Sequence, residues 1–353
     1  MRLTQLKFSG FRCYHQQEFT FDQRINVLHG ANGSGKTSVL EAIYYLSTGK
    51  SFRSSRSRNL INHQANDLAV YARYLDDHQN TGDLGVSLNK QLKKKLKLNQ
   101  QAINNQATLA HLMPVVSIDP DSYLFLDKPP KFRRTFLDWL VFHVKPEYLD
   151  VWGKASRCQQ QLNQLYKNKK QQDLPYWESQ YVQWANQLNT LRKKIFDALH
   201  DKVMKKTGAF IPELGHLEVR YHQGWSTESS LQEQLLHDAD KNRLYGSLQH
   251  GVHKMDIRNH INNQLAHDCL SRGQKKLISI IYYLCFIELL TEECGVTPIL
   301  CLDDMDAELD LEKTRILCDF IEHSNHQVFI TTVDPSKLTS VLNDAAMFHV
   351  KHQ

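Results

Sequence analysis

Paired cysteines are the first thing this sequence lacks. Its seven cysteines (Cys13, Cys158, Cys269, Cys285, Cys294, Cys301, Cys318) are scattered over 353 residues, odd in number and never spaced C-x-x-C. Disulfide and zinc readings therefore have little behind them, and reduced thiols in a cytoplasm fit best. Long apolar runs are missing too. The longest, Leu277 to Ile287, carries Ser279 and is flanked by Lys275-Lys276 and Glu288, far short of the roughly 20 residues of a membrane span. The start, Met1-Arg2-Leu3-Thr4-Gln5-Leu6, has neither the apolar core nor the cleavage site of a secretory leader, so a cytoplasmic protein without membrane association is expected. Nor is there a strong excess of charge. The net +5 is too mild alone to imply nucleic acid, and its distribution matters more. What the chain does have is 41% hydrophobic residues, enough for cores in two or three domains.

It also has one stretch of high specificity, Gly30-Ala31-Asn32-Gly33-Ser34-Gly35-Lys36-Thr37, followed by Ser38. This fits G-x-x-x-x-G-K-[ST], a loop whose backbone N–H groups close around phosphates. In such a loop Lys36 reaches the outer phosphates and the Thr37 hydroxyl sits on Mg²⁺. The flanks agree: Ile25-Asn26-Val27-Leu28 reads as a buried strand, and Val39, Ile43 and Leu46 form a helical stripe. Gly49 is placed to stop that helix. A chance match in a chain of this length occurs about once in a hundred sequences. A bound triphosphate is the expectation.

Elsewhere the chain is read more coarsely. Residues 1–30 look like strands, with Arg12 and Tyr14 after a turn at Ser9-Gly10, placed either near a nucleotide base or on a plain surface turn. From 66 to 118 the alternation of Leu68-Val70-Ala72-Tyr74 and of Leu96 and Leu98 predicts antiparallel β structure. The cluster Lys90, Lys93, Lys94, Lys95, Lys97 fits edge protection and DNA contact equally. Residues 128–134 read as a Pro-broken basic loop entering a helix near Thr135, suited to a phosphate backbone or simply exposed. Residues 147–206 read as two helices broken near Asp173-Leu174-Pro175. Eleven Lys/Arg against four Asp/Glu over 151–206 place +7 there. That arm could track phosphates, with Trp152, Leu162, Trp184 and Leu188 forming the seam between its helices. His253 fits a ligand-facing or a structural role.

Two further pieces point back to the phosphate loop. Leu270-Ser271-Arg272-Gly273-Gln274 opens an apolar helix, and a Ser-x-Gly at a helix N-terminus can hold an anion. Pro298-Ile299-Leu300-Cys301-Leu302 is a buried strand delivering Asp303 and Asp304 to its carboxyl end. There Asp303 would hold Mg²⁺ and Asp304 would orient or deprotonate the attacking water. Ala307-Glu308-Leu309-Asp310 follows, and the strand Gln327–Thr332 ends in polar groups at the same sheet edge.

Loop, Ser-x-Gly tip and acidic strand occur in the order of an ATP-binding-cassette head, so the chain resembles that superfamily. In it the tip, here Ser271, Gly273 and Gln274, caps the ATP of a second subunit, and two ATP molecules are shared in a two-fold dimer. Within it, the motifs above with Ser51-Phe52-Arg53 and Lys131-Phe132-Arg133-Arg134-Thr135-Phe136-Leu137-Asp138 are similar to the RecF family of bacterial recombination-repair ATPases over essentially the full chain. The resemblance implies an α/β P-loop ABC-type ATPase head, with a mixed sheet and an antiparallel β portion, plus a smaller, mainly helical second lobe. It implies residues 1–120 and 246–353 as the two halves of the head and 121–245 as the inserted lobe. ATP and Mg²⁺ would be the cofactors, with weak, DNA-stimulated hydrolysis. DNA at single-strand/double-strand junctions or gaps, RecO, RecR and an ATP-dependent homodimer would be the partners, in loading RecA and inducing the SOS response.

Four departures from the family and superfamily patterns stand out. Gly251-Val252-His253-Lys254 has Val and Lys for Pro and Arg, and Ala307 stands for Ser. Relative to transporters, Asp304 stands for Glu and no His follows Ile330-Thr331-Thr332. Both differences from transporters imply slow turnover, with ATP as a switch. A transporter ATPase subunit and a scaffold without turnover are the rival readings. The basic arm has no use in the first, and the second is separated by ATP binding in wild type and Lys36→Ala.

Overall fold

A computed structural model describes residues 1–351 apart from 77, 169–171, 215, 340 and 343. The chain forms two compact units, residues 1–123 with 290–353, and residues 124–289.

The first unit starts with β1 (Arg2–Phe11), β2 (Tyr14–Thr20), β3 (Ile25–His29) and α1 (Lys36–Thr48). It continues with β4 (Asp67–Leu75), β5 (Thr81–Asn89), β6 (Lys94–Leu98), β7 (Gln101–Ile103), α2 (Gln106–Leu112) and β8 (Val115–Ile118). The second unit contains α3 (Pro130–Val144), α4 (Tyr148–Lys167), α5 (Leu174–Phe210), β9 (Leu217–His222), α6 (Leu231–His237) and α7 (Ala239–Tyr245). β10 (Asp256–Ile261), β11 (Gln264–Leu265), α8 (Ala266–Cys269) and α9 (Arg272–Cys294) follow. The chain then completes the first unit with β12 (Ile299–Leu302), α10 (Met305–Glu308), α11 (Leu311–Glu322), β13 (Val328–Thr332), α12 (Ser336–Thr339) and β14 (Ala345–His349).

The first unit holds two sheets. One is antiparallel, in the order β2-β1-β4-β5-β6-β7, and period-2 alternation buries Leu6, Phe8, Val70, Ala72, Leu84 and Val86 on one face. The other is parallel, in the order β14-β3-β13-β12-β8, and its inner strands are mostly apolar and buried almost throughout, with Asn26, Thr331 and Thr332 the buried polar exceptions within them. One core joins them, including Leu3, Leu6 and Phe8, then Val39, Ile43 and Leu46 of α1, with Cys301 and Phe329. Gln327 ties the two together, accepting from Leu3 N–H at 2.7 Å and donating to Leu3 O at 2.8 Å.

The mixed head and the helical second portion agree with the expected fold class; the boundaries differ. The second unit runs to Leu289 instead of 245, because β10 pairs antiparallel with β9 and Tyr282 of α9 stacks on Phe125 at 4.5 Å. The α4–α5 pair is present and its seam buries Leu162, Tyr166, Tyr181 and Leu188. Trp152, assigned to that seam, is 44% exposed. No helix of the described residues is long and apolar enough to cross a membrane.

Candidate phosphate-binding site

The parallel sheet assembles the site through its strand order. β13 lies between β3, which feeds the glycine loop, and β12, which ends at Asp303. The carboxyl ends of three neighbouring strands therefore meet in one place, the position where open α/β sheets bind ligands. Lys36 is 5% exposed and its ammonium donates to two loop carbonyls, Gly30 O at 2.8 Å and Ala31 O at 3.0 Å. The loop thus folds around its own lysine. Ser34 is buried, and its hydroxyl finds no partner among the described residues. Ser38 and Val39 donate to Gly35 O at 2.9 and 3.3 Å, starting α1 straight from the loop.

Gly35 has φ +104°, and a Cβ there would lie 2.6 Å from the Tyr14 hydroxyl. Tyr14 is buried under the loop, so its position is not a surface turn. Burial raises its phenol pKa, with Cys13 adding to the shift. Arg12 is likewise committed. Its guanidinium forks onto fully buried Glu41 of α1 at 2.7 and 2.5 Å, and Ser51 Oγ donates to the same carboxylate. Neither Arg12 nor Tyr14 carries a sequence signal for these contacts, because both partners lie about 20 to 30 residues further along the chain.

Asp303 is 4% exposed and accepts at Oδ1 from Thr37 Oγ1 at 2.9 Å and from Thr331 Oγ1 at 2.7 Å. Its pKa is raised: burial disfavours the charge and Asp304 adds repulsion, while the two threonine hydrogen bonds and Arg53 pull it back. A buried carboxylate with an uncompensated cost beside a hydroxyl is a hard-oxygen donor set, the type that suits Mg²⁺. Asp304 has a left-handed backbone (φ 49°, ψ 40°) fixed by its N–H donating to Thr331 Oγ1 at 2.9 Å. Thr331 therefore holds both acidic residues. The sequence signals it only as one of the polar residues ending a buried strand.

The other expected pieces are placed as follows. Ser271 caps α9 in a reciprocal arrangement: Gln274 N–H donates to Ser271 Oγ at 3.2 Å, and Ser271 N–H to Gln274 Oε1 at 3.0 Å. Ser271 and Arg272 are exposed, and Gly273 and Gln274 half-buried. Ala307 is exposed, Glu308 half-buried, and Asp310 caps α11 through Lys313 N–H at 3.0 Å. Residues 131–134, read from sequence as a loop, form the first turn of α3 after Pro130, the favoured first helical residue. Arg133 forks onto Asp256 at 2.8 and 3.0 Å, and Arg134 donates to Met255 O at 2.6 Å. Both arginines thus pin β10 within their unit, which leaves them unsuited to an external phosphate backbone. His253 Nε2 donates to Leu248 O, 3.2 Å away, and burial lowers its pKa to about 4. Its role is structural. Among the described residues no cluster of three His, Cys, Asp or Glu side chains is arranged to hold a metal.

Residues 2–353 match the family described as RecF/RecN/SMC N terminal domain. The chain is 32% identical over 353 residues to the DNA replication and repair protein RecF of Vibrio vulnificus strain CMCP6, covering 99% of this chain and 98% of that protein. It is 30% identical over 355 residues to the protein of the same name from Shewanella oneidensis, covering 100% and 98%. Among solved structures it is similar to the recombination mediator RecF with ATP, from the RecFOR pathway, at TM-score 0.86 and 23% identity over 94% and 92% of the two chains. A likeness to an Smc head bound to part of ScpA is looser, at TM-score 0.58 and 14% identity over 97% and 92%. At those identities the solved structures speak for the fold.

Proposed function

The chain belongs to the RecF family, and from that membership we propose that it is an ATP-dependent DNA-binding protein of recombinational repair and replication restart. In this reading ATP drives two copies together as a clamp on gapped DNA, helping RecO and RecR to load RecA and supporting SOS induction. Slow hydrolysis then resets the clamp. The observation that carries the reading is the cluster Thr37–Asp303–Thr331, with contacts of 2.9 and 2.7 Å, beside a glycine loop closed on Lys36.

Roles follow from the donor types. The loop Gly30, Ala31, Asn32, Gly33, Ser34, Gly35, Lys36 and Thr37, with Ser38 behind it, would cradle the phosphates through the backbone N–H groups not already bonded within the loop, and the orphaned Ser34 hydroxyl gains a partner there. Lys36 would exchange carbonyl contacts for the stronger ones to phosphate. Thr37 and Asp303 would hold Mg²⁺, which neutralises phosphate charge when bound. Asp304 orients water for attack on the γ-phosphorus and takes its proton as the bridge to ADP breaks. Ser271, Gly273 and Gln274 of one copy would close the site of the other. The exposed, self-capped tip supports that role: nothing need be broken for it to meet a partner's ligand.

Analytical ultracentrifugation of the protein alone, with MgATP, and with MgATP and gapped DNA tests the proposal. A dimer that needs ATP and a heavier species that needs DNA are expected. A monomer under all three conditions rejects the clamp, and ATP binding without dimerisation would leave a scaffold or transporter-like head.

A further inference from the structure

The lysines of β6 are only partly accounted for by edge protection. β7 pairs with Leu96, Lys97 and Leu98, so Lys97 sits on the interior of the antiparallel sheet, Lys94 and Lys95 lie where β6 is uncovered, and Lys90 and Lys93 are outside the strand. They belong to a larger feature. Residues 49–66 contain Lys50, Arg53, Arg56 and Arg58, residues 88–106 contain Lys90, Lys93, Lys94, Lys95 and Lys97, and neither stretch has an acidic residue.

The fold brings the two stretches together. Arg58 donates to Lys90 O at 3.3 Å, Lys90 N–H to Asn66 O at 3.1 Å, and Lys94 Nζ to Gly49 O at 2.9 Å. Arg53, Arg56, Arg58, Lys90, Lys93, Lys95 and Lys97 are exposed, and none shares an ion pair with an acid among the described residues. The neighbouring acids are Asp67, opposite Asn89, Asp83, which is occupied by Tyr71 and Arg73, Glu41, which is buried on Arg12 and Ser51, and Asp303 of the phosphate site, whose charge Arg53 favours.

The surface is also held rigidly. Lys94 lies over the Tyr45 ring at 5.7 Å, and a Cβ on Gly49, at φ +63°, would come within 2.4 Å of its Nζ. Ser51 Oγ, fixed to Glu41 of α1, accepts from Arg53 N–H at 3.0 Å and Ser54 N–H at 2.8 Å. α1 starts at Lys36 and Thr37, so one helix carries the phosphate site at its first turn and anchors this surface near its end.

The helical arm, which has more charge in sequence, differs. Lys154 pairs with Asp150 at 2.7 Å, Lys193 with Asp197 at 2.5 Å, Lys206 with Glu288 at 2.8 Å, and Arg192 is buried on Asp138 at 2.7 Å. Lys169 and Lys170 lie outside the described residues. A face that tracks single strands stacks bases on exposed aromatics. The one aromatic of residues 49–66 and 88–106 is Phe52, packed edge-on to Tyr44 at 5.5 Å.

We infer that this acid-free face, built from the 50–58 loop and the β5–β6 hairpin, carries the phosphate backbone of double-stranded DNA. The inference rests on the DNA-binding function proposed above and names the surface responsible.

The test is binding of a fluorescent mixed-sequence duplex to the full-length protein with MgATP, titrated with KCl. The variant Arg58→Gln/Lys90→Gln/Lys93→Gln/Lys95→Gln should bind at least about tenfold more weakly, with a salt slope shallower by about 3 to 4, near 0.9 per lost phosphate contact. It should bind ATP as wild type does. The arm variant Arg157→Gln/Lys194→Gln/Lys205→Gln should stay within about twofold of wild type, since its charges would meet no phosphate. An unchanged slope in the first variant, or a loss confined to the second, overturns the surface while leaving DNA binding intact. Tighter binding of single strands than of duplex overturns the duplex assignment. Wild type that binds no DNA with ATP overturns the function itself. If the fourfold variant fails to fold, Lys93→Glu and Lys95→Glu taken singly should each flatten the slope, and failure of both to do so rejects the surface.

Discussion

The phosphate cradle of the first unit and the serine-led tip of α9 in the second are built on opposite terms. In the cradle the lysine, the strand-end Asp303 and the arginine beneath are committed before any ligand arrives, and the Ser34 hydroxyl is left without a partner among the described residues. Lys36 binds two carbonyls, Asp303 two hydroxyls, and Arg12 a buried carboxylate under the same helix. At the tip, the Ser271 and Gln274 side chains each accept from the other's backbone N–H, at an exposed helix start. A site that must bind a polyanion unaided has to be preorganised, because reorienting dipoles on binding lowers affinity. A surface that acts only against a second molecule need only be accessible. The cradle is therefore expected to show its mutations in folding and ligand affinity, and the tip in assembly alone.

The sharpest way to break that contrast is at Arg12. Arg12→Ala strands Glu41, which is fully buried, and should cost about 3–5 kcal/mol of stability, read by urea unfolding. A loss under 1 kcal/mol would mean the cradle is not built on that pair. Next comes Lys36→Ala, expected to weaken ATP binding by about 3 kcal/mol, roughly a hundredfold by calorimetry, and so to abolish the ATP-driven dimer. Unchanged dimerisation would discard the switch.

Asp303→Asn tests preorganisation more finely. A carboxyl whose folded pKa lies above its unfolded value binds more protons when folded. Its contribution to stability therefore falls as pH rises from the unfolded pKa towards the folded one, so the cost grows with pH over that window. The amide removes that cost and keeps an acceptor for Thr37 and Thr331. The variant without ligand should melt higher than wild type at pH 7 and lose this advantage below the unfolded pKa, while its ATP turnover disappears. A lower melting temperature at pH 7 would show that the charge stabilises the fold. Ser271→Ala is the smallest change. It removes one helix cap, about 1 kcal/mol locally, and should leave ATP affinity of the monomer within twofold, where Ser271→Arg blocks the dimer. Loss of monomer ATP affinity in Ser271→Arg would mean that the tip serves its own chain's ligand.

Much of the cradle was legible beforehand because its parts are local in sequence. Gly30 to Thr37 sit between a strand and a helix, the two elements that any such loop requires, and Asp303 ends an apolar run. The capping of α9 by Ser271 was equally local. Misreadings arose where a residue's partner is distant. Residues 131–134 look like a free basic loop until Asp256 and Met255 are seen to occupy Arg133 and Arg134. The arm's +7 overstates its free charge, because Lys154, Lys193, Lys206 and Arg192 are each paired with an acid. Thr331 was visible only as a polar strand end, since its role depends on β13 lying between β3 and β12.

Composition and local spacing determined that this chain carries a phosphate-loop sequence on a strand–loop–helix and an apolar helix led by a Ser-x-Gly tip. Backbone geometry in those motifs is set by neighbours a few residues away, so it survives translation into a string of letters. Which cations remain available was decided only by the tertiary structure. Charge is a property of a residue, but neutralisation is a property of a pair, and the pairs that occupy Arg12, Arg133 and Arg192 span 29, 123 and 54 residues. Folding alone brought the 50–58 loop against the β5–β6 hairpin and left that face without acids to balance it.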